Sequence, residues 1–541
     1  SHIQALDCRF ASQGSEPFLL HHFIGSLNTP YDYQPLETLF SPDTSKRIAT
    51  SGGRPTNSSM PYFNLETGGG GVIAALGWPG QWESWFLCNS DNLLRIAAGQ
   101  EQTHFVLHPQ EEIRLPLVVL QFYQGGWIRA QNLWRRWMLA HNLPRPHGQL
   151  PPPMIAACTS GIYYEMCNAN EENQNYFIDR YAEEKIDLDF WHMDAGWYIT
   201  SQCWQGTGTW EIDPQRFPNG LRAVTNNAHT RGMQSIVWFE PERVTAGTWL
   251  ADTHPEWVLG GKGGGLLNLG HPQAWNWLVN HIDRMIVSQG IDLYRQDFNM
   301  EPVSHWRVND TPDRRGITEI KHCLGYLAFW DELHRRHPDM IIDTCASGGR
   351  RNDLETLRRS LPLLRSDHIG HPLGSQCHTY GIAFWIPYYG TGLPFSNDYT
   401  FRSSLCPYNT IGWDMRDPNQ DYDTYRRRFD QRRSIARLYL GDYYPLTGYS
   451  LDNNVWMAWQ FDRPDLGEGL VQAFRRPDND PADADRRFPL HGLRPGAVYR
   501  LTDFDSPDTA ERTGRDLMEL GLSLTIPNRP GAALIHYQQI K

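Results

Sequence analysis

The stretch 293–299 reads Leu293-Tyr294-Arg295-Gln296-Asp297-Phe298-Asn299, a short run with apolar residues that ends in a carboxylate. A second run of this kind, Leu361-Pro362-Leu363-Leu364-Arg365, is followed by Ser366 and Asp367. Short runs of this type are typical of buried strands. Each aspartate is therefore predicted to lie where a strand ends and a loop begins, the position at which barrel enzymes carry their catalytic groups.

Around these two runs, strand and helix patterns alternate over about 290 residues after the triple proline at 151–153. The other predicted strands are 154–158, 188–193, 234–239, 340–344, 382–389 and 404–413. Helices are predicted between them, for example over 172–185, 273–289 and 317–337, with a closing helix over 421–440. No GxGxxG motif follows the first strand, so the alternation favours an α/β fold of the (β/α)8 TIM barrel type over a doubly wound sheet.

The flanking regions have a different pattern. Residues 1–145 contain short alternating runs punctuated by Gly, Pro and Asn, with one helix over 127–141, which predicts a β-sandwich-type domain. Residues 441–541 lose helical periodicity and predict a small C-terminal antiparallel β domain. The barrel is assigned to residues 146–440, so three domains are expected in a chain of 541 residues.

Composition limits the partners that the chain can have. The net charge of -12 disfavours nucleic acid as a partner, because nucleic-acid binding depends on clustered Lys and Arg. No apolar run is long enough to predict a membrane span. The nine cysteines are scattered without zinc-ligand spacing, so neither a metal nor a cofactor is predicted, and an odd count leaves at least one free thiol. The compartment stays open between the cytoplasm and a periplasmic or secreted location with a removed signal peptide.

Several predicted strand ends carry polar groups that a purely structural barrel would not need. The second strand leads into Asp194-Ala195-Gly196-Trp197, and the third into Trp238-Phe239-Glu240-Pro241-Glu242-Arg243. Paired carboxylates in a chain with 21 Trp, 24 Tyr and 22 Phe favour glycoside hydrolysis, which needs two carboxyl groups and aromatic surfaces around a sugar. Taken singly, each aspartate fits a strand-end cap equally well, Glu240 and Glu242 fit ion pairs with nearby Arg residues, and Trp197 fits a core position.

Together and in this order, the segments resemble the melibiase-type α-galactosidases of glycoside hydrolase family 36. The matching pattern runs from the Asp-x-Gly-Trp segment through Trp-Phe-Glu-Pro-Glu, Arg295-x-Asp297-x-Asn299 and the loop 345–351 to Ser366-Asp367. The resemblance implies an exo-acting retaining α-galactosidase in which Asp297 is the nucleophile and Asp367 the acid/base. It implies a carbohydrate substrate, an oligosaccharide or glycoconjugate. It further implies sugar-binding roles for these residues: Asp194, Trp197, Trp238, Arg295, Asn299, Cys345, Gly348, Gly349 and His368.

The chain also departs from the family pattern. Ala195 stands where a second sugar-binding aspartate is expected, Arg295 replaces a lysine, Arg350 replaces a glycine, and His368 replaces an asparagine. A buried site that binds hydroxyl groups rejects wrong sugars strongly, so changes in its residues can change which sugar is bound. The sequence therefore does not decide which terminal sugar the protein removes. Activity toward α-N-acetylgalactosaminides or β-L-arabinopyranosides is the alternative within the same mechanism.

Two further alternatives belong to other functional classes. One is a non-catalytic carbohydrate-binding relative, and the other is a metal-dependent barrel hydrolase using His368, His371 and His378, which the lack of metal-ligand spacing disfavours. Family members often form homo-oligomers in which the leading domain reaches a neighbour's site. The predicted leading domain is shorter than usual for the family, so we expect a reduced or truncated form of it. An oligomer of this kind is therefore less strongly expected for the present chain.

Overall fold

The computed structural model describes residues 4–11 and 16–540 of the chain. Its first part contains two antiparallel sheets, as predicted. The four-stranded sheet has the order Leu6–Ala11, Leu93–Gln100, Trp82–Cys88 and Ser45–Ala49. The five-stranded sheet has the order Leu117–Gln124, Gly70–Gly77, Tyr62–Thr67, Phe18–Phe23 and Pro35–Phe40. Alternation of buried and exposed side chains, clearest in Trp82–Cys88, explains why these segments form strands with one face in a core.

The centre of the chain is a parallel sheet of seven strands that curves into a barrel. In chain order these barrel strands are Ile155–Cys158, Phe190–Met193, Gln234–Phe239, Leu293–Gln296, Ile341–Thr344, Gly390–Gly392 and Tyr408–Ile411. In space the first five are neighbours in sequence order, and Tyr408–Ile411 pairs with Ile155–Cys158 on the other side. All pairs are parallel, so the loops that follow the strands emerge at one edge.

Residues 361–365 close the ring between the fifth strand and Gly390–Gly392. Leu361 forms a parallel bridge with Asp343 and donates its N–H to the Ile342 carbonyl. On the other side, Gly390 N donates to Pro362 O and Arg365 N donates to Gly390 O. Pro362 lacks an N–H, which limits this segment to a short ladder. The predicted (β/α)8 barrel is confirmed, with 361–365 as an extended eighth segment.

The main barrel helices lie close to their predicted positions. They are Glu171–Glu183, Arg222–Thr230, Pro272–Gln289, Ile317–Arg336 and Tyr422–Ile435, with Pro372–Ile382 after the extended segment 361–365. One strand prediction is wrong, because residues 382–389 form no strand. The helix Pro372–Ile382 occupies the residues up to Ile382, and the next strand begins only at Gly390. This stretch is apolar on every side because it is buried on every side, so its apolar run is not diagnostic of a strand.

Two further helices and several short turns complete the connections. Trp127–Trp137 joins the first sheets to the barrel, and Gly514–Glu519 lies in the last region. Short helices after barrel strands are Ser160–Tyr163, Trp249–Thr253, Val303–Val308, Leu354–Leu357 and Asp398–Ser403. Short strands in loops are His104–Phe105 with Arg314–Arg315, and Arg243–Thr245 with Val258–Leu259 and Gly264–Leu267. Among the described residues, no helix is both long and apolar enough to cross a membrane.

The C-terminal region is an antiparallel β structure, as predicted. Its six-stranded sheet has the order Asp442–Pro445, Trp456–Arg463, Glu468–Arg475, Gly531–Gln539, Val498–Asp503 and Thr509–Thr513. Asp485–Phe488 and Leu522–Thr525 form a separate pair. The division into domains at 145 and 440 stays a prediction, and its outermost residues 1–3 and 541 lie outside the described residues.

Candidate active site

One loop after the fifth barrel strand reaches both predicted catalytic carboxylates. Ser347 N in this loop donates to Asp297 Oδ1 at 3.0 Å. Gly348 packs against the backbone of Asp367, so closely that a Cβ atom on it would lie 2.7 Å from Asp367 N. Gly348 also has a φ of 78°, a left-handed conformation that favours glycine. The predicted close approach at this Gly pair is therefore present, and it brings the two aspartates to one site.

Asp297 follows the fourth barrel strand and is held by N–H donors. Trp238 Nε1 donates to its Oδ2 at 3.2 Å, while Ser347 N and Phe298 N donate to its Oδ1. Its own N–H is bonded to the Phe239 carbonyl at 2.8 Å. These three donors fix the direction of the carboxyl group. A carboxyl group fixed in this way has the geometry that the predicted nucleophile needs.

Asp367 lies after the extended segment 361–365 and lines a pocket that is open to water. Its pKa is raised to about 6, first because surrounding protein displaces water from around it and second because Asp297 carries a negative charge nearby. The side chain itself remains accessible from the pocket. The pocket walls therefore crowd the carboxyl group and displace part of its surrounding water, while the group stays in contact with solvent. A carboxyl group with this pKa can hold a proton near neutral pH.

The pocket next to Asp367 has a volume of about 720 Å³. One wall is polar and includes His192, Asp194 and Arg295 from the second and fourth strands. The lining also includes a largely apolar set, Ile369, Leu393, Phe395, Ile411 and Trp413. The Phe395 and Trp413 rings lie 4.2 Å apart between centroids. A lining that combines polar groups with aromatic rings fits a sugar, which has hydroxyl groups and apolar C–H faces.

Arg295 connects the pocket to the barrel interior. It forms a buried ion pair with Asp343, its partner on the neighbouring strand. Burial raises the pKa of Asp343 to about 6 in spite of this cation. Because the guanidinium group stays charged, Arg295 remains a cation beside the carboxylates of the site.

The N-terminal sheets send two loops onto the catalytic face of the same chain's barrel. In one, Asn28 exchanges hydrogen bonds with Asp367, and the Tyr33 hydroxyl donates to Arg365 O at 2.5 Å. In the other, Arg54 Nη1 donates to Ser347 Oγ at 3.0 Å and to Phe298 O at 3.2 Å, and Thr56 Oγ1 donates to Gly349 O at 2.6 Å. These contacts hold the loop that positions both aspartates.

The two glutamates of the Trp-Phe-Glu-Pro-Glu segment are buried and support the site from behind. Glu240 pairs with Arg243 and accepts hydrogen bonds from the backbone and side chain of Asn299. Glu242 pairs with Arg351 and accepts from His322 Nε2 at 3.0 Å. The structural interpretation of these glutamates, as ion-pair partners of arginines, agrees with this geometry.

The other predicted sugar-binding residues take different positions. Asp194 and Arg295 line the pocket. Trp238 donates a hydrogen bond to Asp297. Asn299 donates to Glu240 and accepts a hydrogen bond from Ser347 Oγ. Trp197 is fully buried and donates to Trp238 O at 2.9 Å, so it supports the site from the core. Cys345 is buried beside the two aspartates, and burial raises the pKa of its thiol. Direct contact of these residues with sugar stays a prediction.

The histidines near Asp367 contact one another and the N-terminal loop. His368 stacks on His371 at 4.7 Å between ring centroids, and His378 Nε2 lies 2.7 Å from Thr29 O. Across the described residues, no group of three or more His, Cys, Asp or Glu side chains is arranged to hold a metal ion.

Asn28, Glu165 and His192 are polar residues of the site that were not selected from the sequence. His192 carried a usable signal, since it lies two residues before Asp194 and therefore on the same face of the strand. Asn28 and Glu165 carried none, because each comes from a loop whose contact with the barrel depends on the tertiary fold. A disulfide that links Cys167 to Cys203 was also not predicted.

The fold and the pocket together define a barrel of the glycoside hydrolase type, with paired carboxylates at its strand ends. Comparison with known proteins confirms the more specific resemblance to the melibiase-type α-galactosidases of family 36. Residues 129–371 match the family model described as Melibiase, and residues 456–536 match the Glycosyl hydrolase family 36 C-terminal domain.

Two curated relatives are similar over about four fifths of this chain. "Probable alpha-galactosidase C" of Aspergillus terreus is 24% identical over 477 residues, which cover 81% of this chain and 60% of the relative. "Alpha-galactosidase AgaA" of Geobacillus stearothermophilus is 23% identical, covering 80% and 60%. The chain thus spans less than two thirds of the length of these relatives. The solved structure of AgaA superposes with a TM-score of 0.86 at 17% identity, over 99% of this chain and 76% of that one, and shows that the fold is shared.

Proposed function

We propose that the chain is an exo-acting retaining glycoside hydrolase that releases a terminal α-linked, galactose-type sugar. The observation that carries this proposal is the different environment of two carboxyl groups at one site. Asp297 is surrounded by three N–H donors, whereas Asp367 has a pKa raised to about 6. Environments that separate two carboxyl groups in this way are typical of a nucleophile and a general acid.

The reaction follows from these two roles. Asp297 attacks the anomeric carbon and forms a covalent glycosyl-enzyme, while Asp367 gives its proton to the leaving oxygen. Water then enters, Asp367 takes one of its protons, and the resulting hydroxide replaces the Asp297 carboxylate at the same carbon. Two displacements return the original anomeric configuration. Trp238 and the loop 345–349 keep the Asp297 carboxylate in place during both steps.

The choice of an α-galactoside rests on relatives. AgaA variants of Geobacillus stearothermophilus were solved in complex with raffinose and with stachyose. The polar and aromatic walls of the pocket support a carbohydrate of that kind as the ligand here.

A panel of aryl glycosides tests the proposal. The α-galactoside, α-N-acetylgalactosaminide, β-L-arabinopyranoside and α-glucoside are each assayed with the unaltered protein and with Asp297→Ala. We expect turnover of the α-galactoside and a loss of about 10⁴-fold or more in Asp297→Ala, since the nucleophile is removed. NMR of the first-formed product is expected to show the α anomer.

The matched control is Asp430→Ala, which removes an exposed aspartate on the helix Tyr422–Ile435 and is expected to leave turnover unchanged. Turnover confined to another sugar in the panel would replace the galactose assignment and keep the mechanism. A β anomer as first product would contradict double displacement. Sugar binding without any turnover would support a carbohydrate-binding protein instead.

A further inference from the structure

The Glu165 carboxyl group lies in the polar wall of the pocket, and the two displacement steps give it no role. It follows the short helix Ser160–Tyr163 in the loop after the first barrel strand. It lines the pocket together with Ser160, His192, Asp194 and Arg295. Ser160 Oγ donates to Asp194 Oδ2 at 2.7 Å, so the first loop and the second strand meet at this wall.

The backbone next to Glu165 is hydrogen-bonded to the backbone of Ala195, the residue that stands where the family has a second aspartate. Met166 N donates to Ala195 O at 2.7 Å. Arg216 joins the same two loops, with Nη1 donating to Met166 O at 2.5 Å and Nη2 donating to Gly196 O at 2.6 Å. Both loops are therefore tied together next to Ala195, and the turn that carries Glu165 has a fixed place beside Asp194.

Polar atoms that lack protein partners indicate that this wall receives a ligand. His192 is only 5% exposed, yet neither of its ring nitrogens has a hydrogen-bond partner among the described residues. Its Nε2 lies 3.9 Å from Asp194 Oδ1, which is too far for a hydrogen bond. Arg295 Nε is likewise buried and without a partner in the described part of the chain. Buried polar groups are normally satisfied, so a hydroxyl-rich ligand would complete this set.

The protonation states at the wall suit hydroxyl groups. Burial, followed by the charge of Asp194 and a hydrogen bond between the two carboxyl groups, raises the pKa of Glu165 to about 8. Burial alone would raise the pKa of Asp194, but His192, Arg295 and the Ser160 hydrogen bond outweigh it and lower that pKa. Burial lowers the pKa of His192 to about 4. At neutral pH the wall therefore carries a protonated carboxyl group, a carboxylate and a neutral imidazole, whose oxygen and nitrogen atoms match hydroxyl groups that both donate and accept.

We propose that Glu165 is a specificity-determining residue that binds a hydroxyl group of the terminal sugar alongside Asp194. This inference rests on the proposed function for the identity of the ligand as a sugar. It explains how the site keeps two carboxyl groups on this wall although residue 195 is alanine. The second carboxyl group comes from the first loop of the barrel, about 30 residues earlier in the chain.

The experiment compares Glu165→Ala, Glu165→Gln and the exposed control Glu172→Ala on an aryl α-galactoside and its 2-, 3-, 4- and 6-deoxy analogues at pH 6. We expect Glu165→Ala to lower kcat/KM for the parent sugar by about tenfold or more, and to have an effect of under about twofold on the one analogue that lacks the bound hydroxyl. Glu165→Gln, which resembles the protonated carboxyl group, is expected to stay within about threefold of the unaltered protein. Galactose binding to Asp297→Asn, with and without Glu165→Ala, is measured by calorimetry in parallel.

The arms separate failure of this inference from failure of the proposed function. An equal loss on the parent and all four analogues would overturn the role of Glu165 and indicate a structural effect, even with turnover intact. Absence of turnover, with galactose binding weakened about tenfold by Glu165→Ala, would overturn the catalytic proposal and support the binding role. Galactose binding that Glu165→Ala leaves unchanged, or no binding at all, would overturn the inference.

Discussion

Asn28 and Asp367 form a reciprocal pair of hydrogen bonds across 339 positions of sequence. Asn28 Nδ2 donates to Asp367 Oδ2 at 3.3 Å, and Asp367 N donates to Asn28 Oδ1 at 3.2 Å. The N-terminal sheets of the chain therefore reach its own catalytic face. The side chain that we assign as acid/base is oriented by a residue that lies outside the barrel.

Removing the Asn28 side chain is expected to lower turnover without unfolding the protein. Asn28 has a φ of 62°, so Asn28→Gly removes the amide and keeps a backbone conformation that glycine adopts freely. We expect kcat to fall by about threefold to tenfold, the value of one hydrogen bond. Steady-state kinetics on the aryl α-galactoside measure this, with the melting temperature as a check on folding. Unchanged kcat would show that Asn28 does not position the acid/base.

The pH dependence of kcat/KM should reflect the proton on Asp367. The acid form is required for departure of the leaving group, and its pKa is raised to about 6. We therefore expect kcat/KM to fall by about tenfold per pH unit above that value, since the group loses its proton as pH rises. Asn28→Asp adds a negative charge next to Asp367 and should move this alkaline limb to higher pH.

Glu165 also titrates on the alkaline side, with a pKa raised to about 8, so Glu165→Gln is the control for the assignment of the limb. The limb near pH 6 should persist in Glu165→Gln. A limb that disappears in this variant would assign the ionisation to Glu165.

The Arg295–Asp343 pair should be essential for stability because both groups are buried. Arg295→Met leaves Asp343 as an unpaired buried carboxylate, and we expect the free energy of unfolding to fall by about 3 to 5 kcal/mol. The double change Arg295→Met with Asp343→Asn should cost less than the sum of the two single changes. Each single change leaves one buried charge without its partner, whereas the double change leaves none. Urea titrations measure all three. Additive losses would contradict a direct coupling.

Glu242 gives the structure a stabilisation that depends on pH. Burial would raise its pKa, but Arg351 and His322 outweigh burial and lower the pKa to about 2. A depressed pKa contributes stability above the unfolded value of about 4.3, and this contribution is lost as pH falls through the folded value. Glu242→Gln should therefore destabilise by about 3 to 5 kcal/mol at pH 7 and by progressively less between pH 4 and pH 2.

Unfolding of Glu242→Gln at several pH values checks this, with Glu183→Gln as the control at an exposed ion pair. A destabilisation that stays constant down to pH 2 would contradict the ionised pair.

The sequence was sufficient for the barrel, and local apolar runs that end at Asp297 and near Asp367 indicated the positions of these residues at strand ends. Their catalytic roles stay predictions. The sequence was insufficient where the fold, not the local pattern, decides. Residues 382–389 are apolar because they are buried on all sides, so periodicity could not separate helix and loop from strand. Residues 361–365 were predicted as a strand, and Pro362 reduces them to an extended segment with few ladder bonds.

The same distinction applies to the site. Asp194 and Arg295 were predicted from the family resemblance, and both line the pocket. Strand alternation also places Arg295 on the same face as Asp297. Trp197 is on the core side of the same region, and no local signal separates an aromatic that touches sugar from one that packs below it. The positions of Glu165 and Asn28 in the site depend on contacts between loops that are distant in sequence or follow different strands. Only the folded structure shows which of these loops meet.

The central claim is that Asp297 forms a covalent bond with the sugar. A fluorinated galactosyl substrate whose second displacement is slow should inactivate the protein and leave one sugar on the peptide that contains Asp297, as measured by mass spectrometry after proteolysis. Asp367→Asn should still acquire this label when the leaving group is a good one, and Asp297→Asn should not. A label on another residue, or inactivation of Asp297→Asn at the same rate, would contradict the assignment of Asp297 as the nucleophile.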